Sequence, residues 1–80
     1  MDTFERILAA AKAFGEDCDF FDFKLEKKDD TSAILSFEDG ENETSTINIT
    51  NITDRTIEVE GVIVDISGDL SDVGQRILEV

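Results

Sequence analysis

From residue 2 to residue 14 the apolar side chains fall at helical intervals. Phe4, Ile7, Leu8, Ala11 and Phe14 recur at i, i+3, i+4 and i+7, which places them on one stripe of an α-helix. Asp2 and Glu5 have the spacing of a capping box. Gly15 follows where a left-handed C-terminal cap is expected.

The period then drops from 3.6 to 2. Phe21, Phe23 and Leu25 alternate with Asp22, Lys24 and Glu26, predicting a strand over residues 20 to 28 with one buried face. Phe20 and Cys18 are expected to pack where that strand begins. Asp29, Asp30 and Thr31 suit a turn. Ala33, Leu35 and Phe37 alternate with Ser36 and Glu38 in a second strand, leaving Ile34 on the polar face. The run EDGENE (Glu38 to Glu43) reads as a loop, with Asp39-Gly40 favouring a tight reversal. Residues 44 to 50 form a third strand with Ile47 and Ile49 inward. The tandem tripeptide NITNIT puts Ile49 and Ile52 out of phase for a regular strand, so a bulge or turn is expected near Asn51.

Residues 55 to 66 carry two phases. Ile57 and Val59 share one, while Val62, Val64 and Ile66 share the other, with Gly61 at the switch. Either one strand bulges at Gly61, or Glu60-Gly61 turns a hairpin. The bulge is favoured, because a two-residue turn prefers Asn or Asp before Gly. Beyond Ser67-Gly68, Asp69 or Ser71 can cap a helix over residues 70 to 79, with Leu70, Val73 and Ile77 on its inner face. Gly74 costs that helix about 1 kcal/mol relative to Ala and points to close packing.

The order is α-β-β-β-(β)-α. Short connections favour antiparallel pairing, and a sheet with one dry face needs cover on one side. The expected fold class is α+β: an antiparallel sheet of three to four strands with two helices packed on one face, in a single domain over residues 1–80. The order resembles that of a double-stranded-RNA-binding domain. Such modules hold phosphates with basic side chains, whereas the last helix here offers Asp69, Asp72 and Glu79 against Arg76. Direct nucleic-acid binding is not expected.

Composition changes the picture mainly through charge. The 80 residues hold 20 acids and seven bases, for a net charge of −13. Self-repulsion of that size opposes compaction and makes nucleic acid and anionic membrane poor direct partners. A basic protein is the fitting partner. Solubility and adaptation to high salt are the blander explanations, and four Lys, nine Ile and six Phe do not favour the second. The first residues lack the basic start of a signal peptide, no apolar run approaches membrane-spanning length, and a cytoplasmic location is expected.

Little in the chain carries covalent chemistry. With one cysteine and no histidine, a disulfide framework and the usual zinc sites are excluded. Glu16, Asp17, Asp19 and Asp22 cluster, as do Asp65, Asp69 and Asp72, but neither set has the spacing of an EF-hand loop. Cys18 sits between two acids and has no histidine to serve as base, so packing is its simplest role. Asn42, Asn48 and Asn51 each begin an N-x-[ST] triplet, read as chance in a chain without a secretory signal. No catalytic residue, metal or cofactor is expected, and the protein reads as no enzyme.

The surface remains. Outward strand positions carry Asp22, Lys24, Glu26, Glu38, Glu58 and Glu60, and the loops add further acids. Alternate residues of a strand lie roughly 6.6–6.8 Å apart, and duplex DNA carries a phosphate per roughly 3.4 Å on each strand. Carboxylates on a strand and its loops therefore approach the charge spacing of a phosphate backbone. The expected function is a non-enzymatic inhibitor that mimics nucleic-acid charge and blocks a basic nucleic-acid-binding protein through Asp17, Asp19, Asp22, Glu38, Asp39, Glu41 and Glu43. In size, charge and lack of catalytic motifs the chain is similar, as a class only, to the small acidic proteins that phages and mobile elements use against host nucleases, including anti-CRISPR and anti-restriction proteins. The alternative is a small acidic adaptor or assembly domain that binds a protein through a sheet edge or an apolar patch. A homodimer stays open.

Overall fold

In the computed structural model, which describes residues 2–79, Asp2 caps helix α1 (Thr3–Gly15) by accepting the Glu5 N–H at 2.8 Å. Ile7, Ala10 and Ala11 are buried, and Phe4 and Leu8 pack beside them. The helix does not stop at Gly15. Gly15 is right-handed (φ −66°), the chain tightens into a 3₁₀ turn at Glu16–Cys18, and Asp19 takes the left-handed position at φ 64°. The N–H of Phe20 reaches the Gly15 carbonyl and that of Asp19 reaches the Glu16 carbonyl, the two bonds of a Schellman motif. Gly15 is needed for space instead: a Cβ there would overlap the ring of Phe23 and stand 3.2 Å from Leu78 Cδ1.

Five strands follow: β1 (Phe21–Asp29), β2 (Ser32–Glu38), β3 (Thr44–Thr50), β4 (Thr56–Val59) and β5 (Val62–Asp65). Each pairs antiparallel with its sequence neighbour, giving the order β1-β2-β3-β4-β5. Leu25 pairs with Leu35, Leu35 with Ile47, Ile49 with Val59 and Ile57 with Val64. Directly opposed residues share a face, so this register aligns the apolar side chains into one layer. Helix α2 (Leu70–Leu78), capped by Asp69 through the Ser71 and Asp72 N–H groups, lies over β5 and against α1. The core is Ile7, Leu35, Ile49, Ile57, Val59, Ile66, Val73 and Ile77 with smaller neighbours, and among the described residues no polar side chain is buried with it. Arg6 ties the layers together: Nε donates to the Ile66 carbonyl at 2.6 Å and an Nη to the Gly68 carbonyl at 2.7 Å. Among the described residues no helix is long and apolar enough to cross a membrane.

Further expectations besides the cap at Gly15 need correction. Cys18 does not pack where β1 begins but is exposed. The sheet has five strands, because Glu60-Gly61 turns a hairpin and does not form a bulge. Glu60 (φ 50°) and Gly61 (φ 84°) both have positive φ, as a type I′ turn requires. Glu60 does what Asn usually does there, and its side chain accepts the Asn48 N–H at 3.2 Å. Phe21 does not join the core face of β1. Between the pairs Phe21–Glu38 and Lys24–Ser36, two residues of β1 oppose one of β2. Asp22 sits in that bulge at φ 55°, so Phe20 and Phe23 pack on Phe37 while Phe21 is 41% exposed. The reversal after β2 is not a two-residue turn at Asp39-Gly40. It spans residues 39 to 43, and Asn42 takes the left-handed conformation. At NITNIT, Asn51 adopts φ 48° and both Ile49 and Ile52 are buried, the phase correction the tripeptide repeat implied.

Candidate functional site: the acidic end of the sheet

β1 begins, and the antiparallel β2 ends, at the same end of the sheet. The 3₁₀ turn precedes the first and the 39–43 loop follows the second. The seven acids singled out in the sequence therefore gather at that end. Asp17 lies in the 3₁₀ turn, Asp19 is its left-handed cap, Asp22 occupies the bulge, Glu38 closes β2, and Asp39, Glu41 and Glu43 belong to the loop. Asp17, Asp19, Asp22, Glu41 and Glu43 are exposed, while Glu38 and Asp39 are half-buried.

Aromatic packing fixes this end. Phe20 and Phe23 contact Phe37 with ring centroids 4.9 and 5.4 Å apart. Phe20 follows Asp19, and Phe37 precedes Glu38, so the acids on both strands are held by one three-ring cluster. The loop is ordered by its own acid: Asp39 Oδ1 accepts the N–H groups of Glu41 at 2.8 Å and Glu43 at 3.2 Å. The Glu41 and Glu43 carboxylates are left pointing to solvent.

The bulge also creates a carboxyl pair. The Asp22 carboxyl beside Glu38 raises the Glu38 pKa above its ordinary value. Partial burial and the charges of Asp22 and Asp39 push the same way, and Lys24 opposes them. Together the two carboxyls offer a guanidinium the acceptors for a charge-assisted contact. The sequence reading named both residues but not their contact, because the bulge that creates it has no strong signature in the sequence.

The middle of the polar face is not strongly acidic. On β3 it carries Thr44, Thr46, Asn48 and Thr50. On β1 it carries Lys24 and Glu26, and Lys28 pairs with Glu26, whereas Lys27, opposite Ala33, lies on the helix face 4.9 Å from the Phe4 ring centroid and pairs with Asp30. Eight of the 20 acids, Glu16 and the seven named, lie at this end, and the other twelve are spread over the rest of the chain. Among the described residues no three acids or cysteines are placed to hold a metal ion, and Cys18 is exposed. Against protein-family models, curated proteins and solved structures, the chain shows no match.

Proposed function

We propose that this protein is a non-enzymatic acidic binding protein that mimics nucleic-acid charge and blocks a basic nucleic-acid-binding protein, in the manner of phage anti-defence inhibitors of the anti-CRISPR or anti-restriction kind. The observation that carries this reading is the gathering of Asp17, Asp19, Asp22, Glu38, Asp39, Glu41 and Glu43 at one aromatic-braced end of the sheet. A diffuse charge that served solubility alone would need no such end. Against a Lys- and Arg-lined channel, fixed carboxylates would act where phosphates normally bind, and the −13 net charge would speed the encounter.

A pull-down from nuclease-treated lysate tests the reading. The expected capture is a basic nucleic-acid-binding protein, released by added DNA or RNA and by salt. Reversing Glu41 and Glu43 to Lys should abolish it. Capture that survives high salt and ignores competing nucleic acid would eliminate mimicry.

A further inference from the structure

The two edges of the sheet are built differently. Edge strand β1 is interrupted by two register shifts, one at Asp22 and one between Lys27 and Asp29, and it carries Lys24, Lys27 and Lys28. Bulges and lysines are devices that discourage a further strand. The opposite edge, β5, has neither. Its four residues pair in unbroken register with β4, and it holds the two most exposed large apolar side chains described, Ile63 at 70% and Val62 at 49%.

The hydrogen bonds at this edge follow from the turn. Val59 and Val62 flank a two-residue hairpin loop and form its hydrogen-bonded closing pair. The N–H and C=O groups of Val62 and Val64 therefore turn toward β4. Those of Ile63 and Asp65 turn outward, without a strand to meet them. Beside the edge runs an open groove of about 480 Å³, with Val62, Ile63 and Val64 along β5 and Asp72, Arg76 and Glu79 along α2.

We propose that β5 is a self-association edge, where two copies of this chain pair β5 to β5, antiparallel about a two-fold axis, with Ile63 opposite Ile63. Side chains directly opposed across antiparallel strands share a face. A two-fold axis at Ile63 satisfies that condition: the two Ile63 side chains meet on the polar face, and Val62 meets Val64 of the second copy on the helix face. The outward N–H and C=O of Ile63 then bond reciprocally across the axis. Charge also selects a second copy as the occupant. The α2 wall of the groove carries both signs, Arg76 beside Asp72 and Glu79, and a second copy brings the same mixed set to it. A uniformly basic peptide would meet Arg76, and a uniformly acidic one would meet Asp72 and Glu79. This inference does not rest on the acidic end, which lies away from β5 across the sheet order.

The net charge of −13 on each copy gives the association a signature. Long-range repulsion opposes the dimer, and the screening length shrinks from about 10 Å at 0.1 M salt to about 3 Å at 1 M. Salt therefore strengthens this contact, whereas it weakens binding of a basic partner, and the two proposals fail separately. In sedimentation equilibrium under reducing conditions, the average mass is expected to rise with protein concentration from 8.9 kDa toward twice that value, and to rise further with salt. Ile63→Glu, which sets like charges opposite each other, should weaken the dimer at least about tenfold while leaving the circular dichroism unchanged. Val62→Thr, which removes one apolar contact from the helix face, should weaken it less. A mass that stays at 8.9 kDa at about 1 mM protein in high salt overturns the proposal. So does a dimer that Ile63→Glu leaves intact.

Discussion

The backbone of Ala10 in α1 occupies the space where a side chain on Gly74 of α2 would begin. A Cβ at Gly74 would overlap the Ala10 carbonyl and stand 2.9 Å from Phe14 Cβ. The two helices touch backbone to backbone at this point, and neither can yield without moving the whole helix.

Gly74→Ala therefore sets two effects against each other. The substitution gains about 1 kcal/mol of helix propensity. Prising α1 from α2 costs more, about 2–3 kcal/mol net at the upper end of overpacking effects. At roughly 4–8 °C per kcal/mol for a domain of this size, the melting temperature should fall by about 10–20 °C. An unchanged melting temperature would mean that the helices do not meet at Gly74.

Phe21 and Phe23 have the same alternation in the sequence and opposite fates in the fold. Phe23→Ala should cost about 2–4 kcal/mol in urea unfolding, somewhat below a fully buried Phe, because its ring stacks on Phe37 and fills the space that Gly15 leaves. Phe21→Ala should cost less than about 1 kcal/mol, in keeping with a surface position. Equal losses would place both rings in the core and remove the bulge at Asp22.

The Asp22–Glu38 pair gives the acidic end a pH dependence. Because the Glu38 pKa is raised, its contribution to stability is present below the pKa of the unfolded chain and is lost as pH rises through the folded value. Asp22→Asn removes one carboxylate but keeps a side chain that tolerates positive φ. It should bring Glu38 back toward its ordinary titration in NMR and raise stability near neutral pH relative to the parent. Asp65 behaves in the opposite sense. Its hydrogen bonds from Ser67 hold its pKa down, so its contribution is lost as pH falls through the folded value. Ser67→Ala should shift the Asp65 titration upward and leave Glu38 untouched.

Asp39 has two roles that substitution can separate. Asn keeps an oxygen for the Glu41 and Glu43 N–H groups and removes the charge. Asp39→Asn should preserve the loop and weaken a basic partner, whereas Asp39→Ala should also cost about 1 kcal/mol of stability. A partner whose affinity ignores Asp39→Asn does not read this end of the sheet.

Much of the fold was legible because each element carries its own local signal. The stripe from Phe4 to Phe14, the alternation from Ala33 to Phe37, and Asp69 before Leu70 each mark an element within one or two residues of its observed bounds. The errors share one physical origin. Asp19, Asp22, Asn42 and Glu60 adopt positive φ without being glycine, and the glycines drew attention to Gly15 and Gly40 in their place. Asp and Asn enter the left-handed region readily, so a turn rich in them has several candidate pivots. Glu60 is a harder case, since the Asn48 N–H that its side chain engages is twelve residues away. The acidic end was legible as a set of residues, while the Asp22–Glu38 contact depended on the bulge, and the open β5 edge depended on the hairpin.

The clasp of Arg6 on Ile66 and Gly68 joins segments 60 and 62 residues apart, whereas every strand pairs with its neighbour in sequence. The sheet can therefore assemble from hairpins with short loop closures, and the helices must then meet across nearly the whole chain. Docking of α1 on α2 is the late event in such a sequence. Arg6→Met and Gly74→Ala should consequently act on the unfolding limb of a chevron plot and leave the folding limb nearly unchanged. Substitutions along β2 and β3 should slow folding. The protein would then owe its lifetime in the folded state to the helix pair and its speed of folding to the sheet.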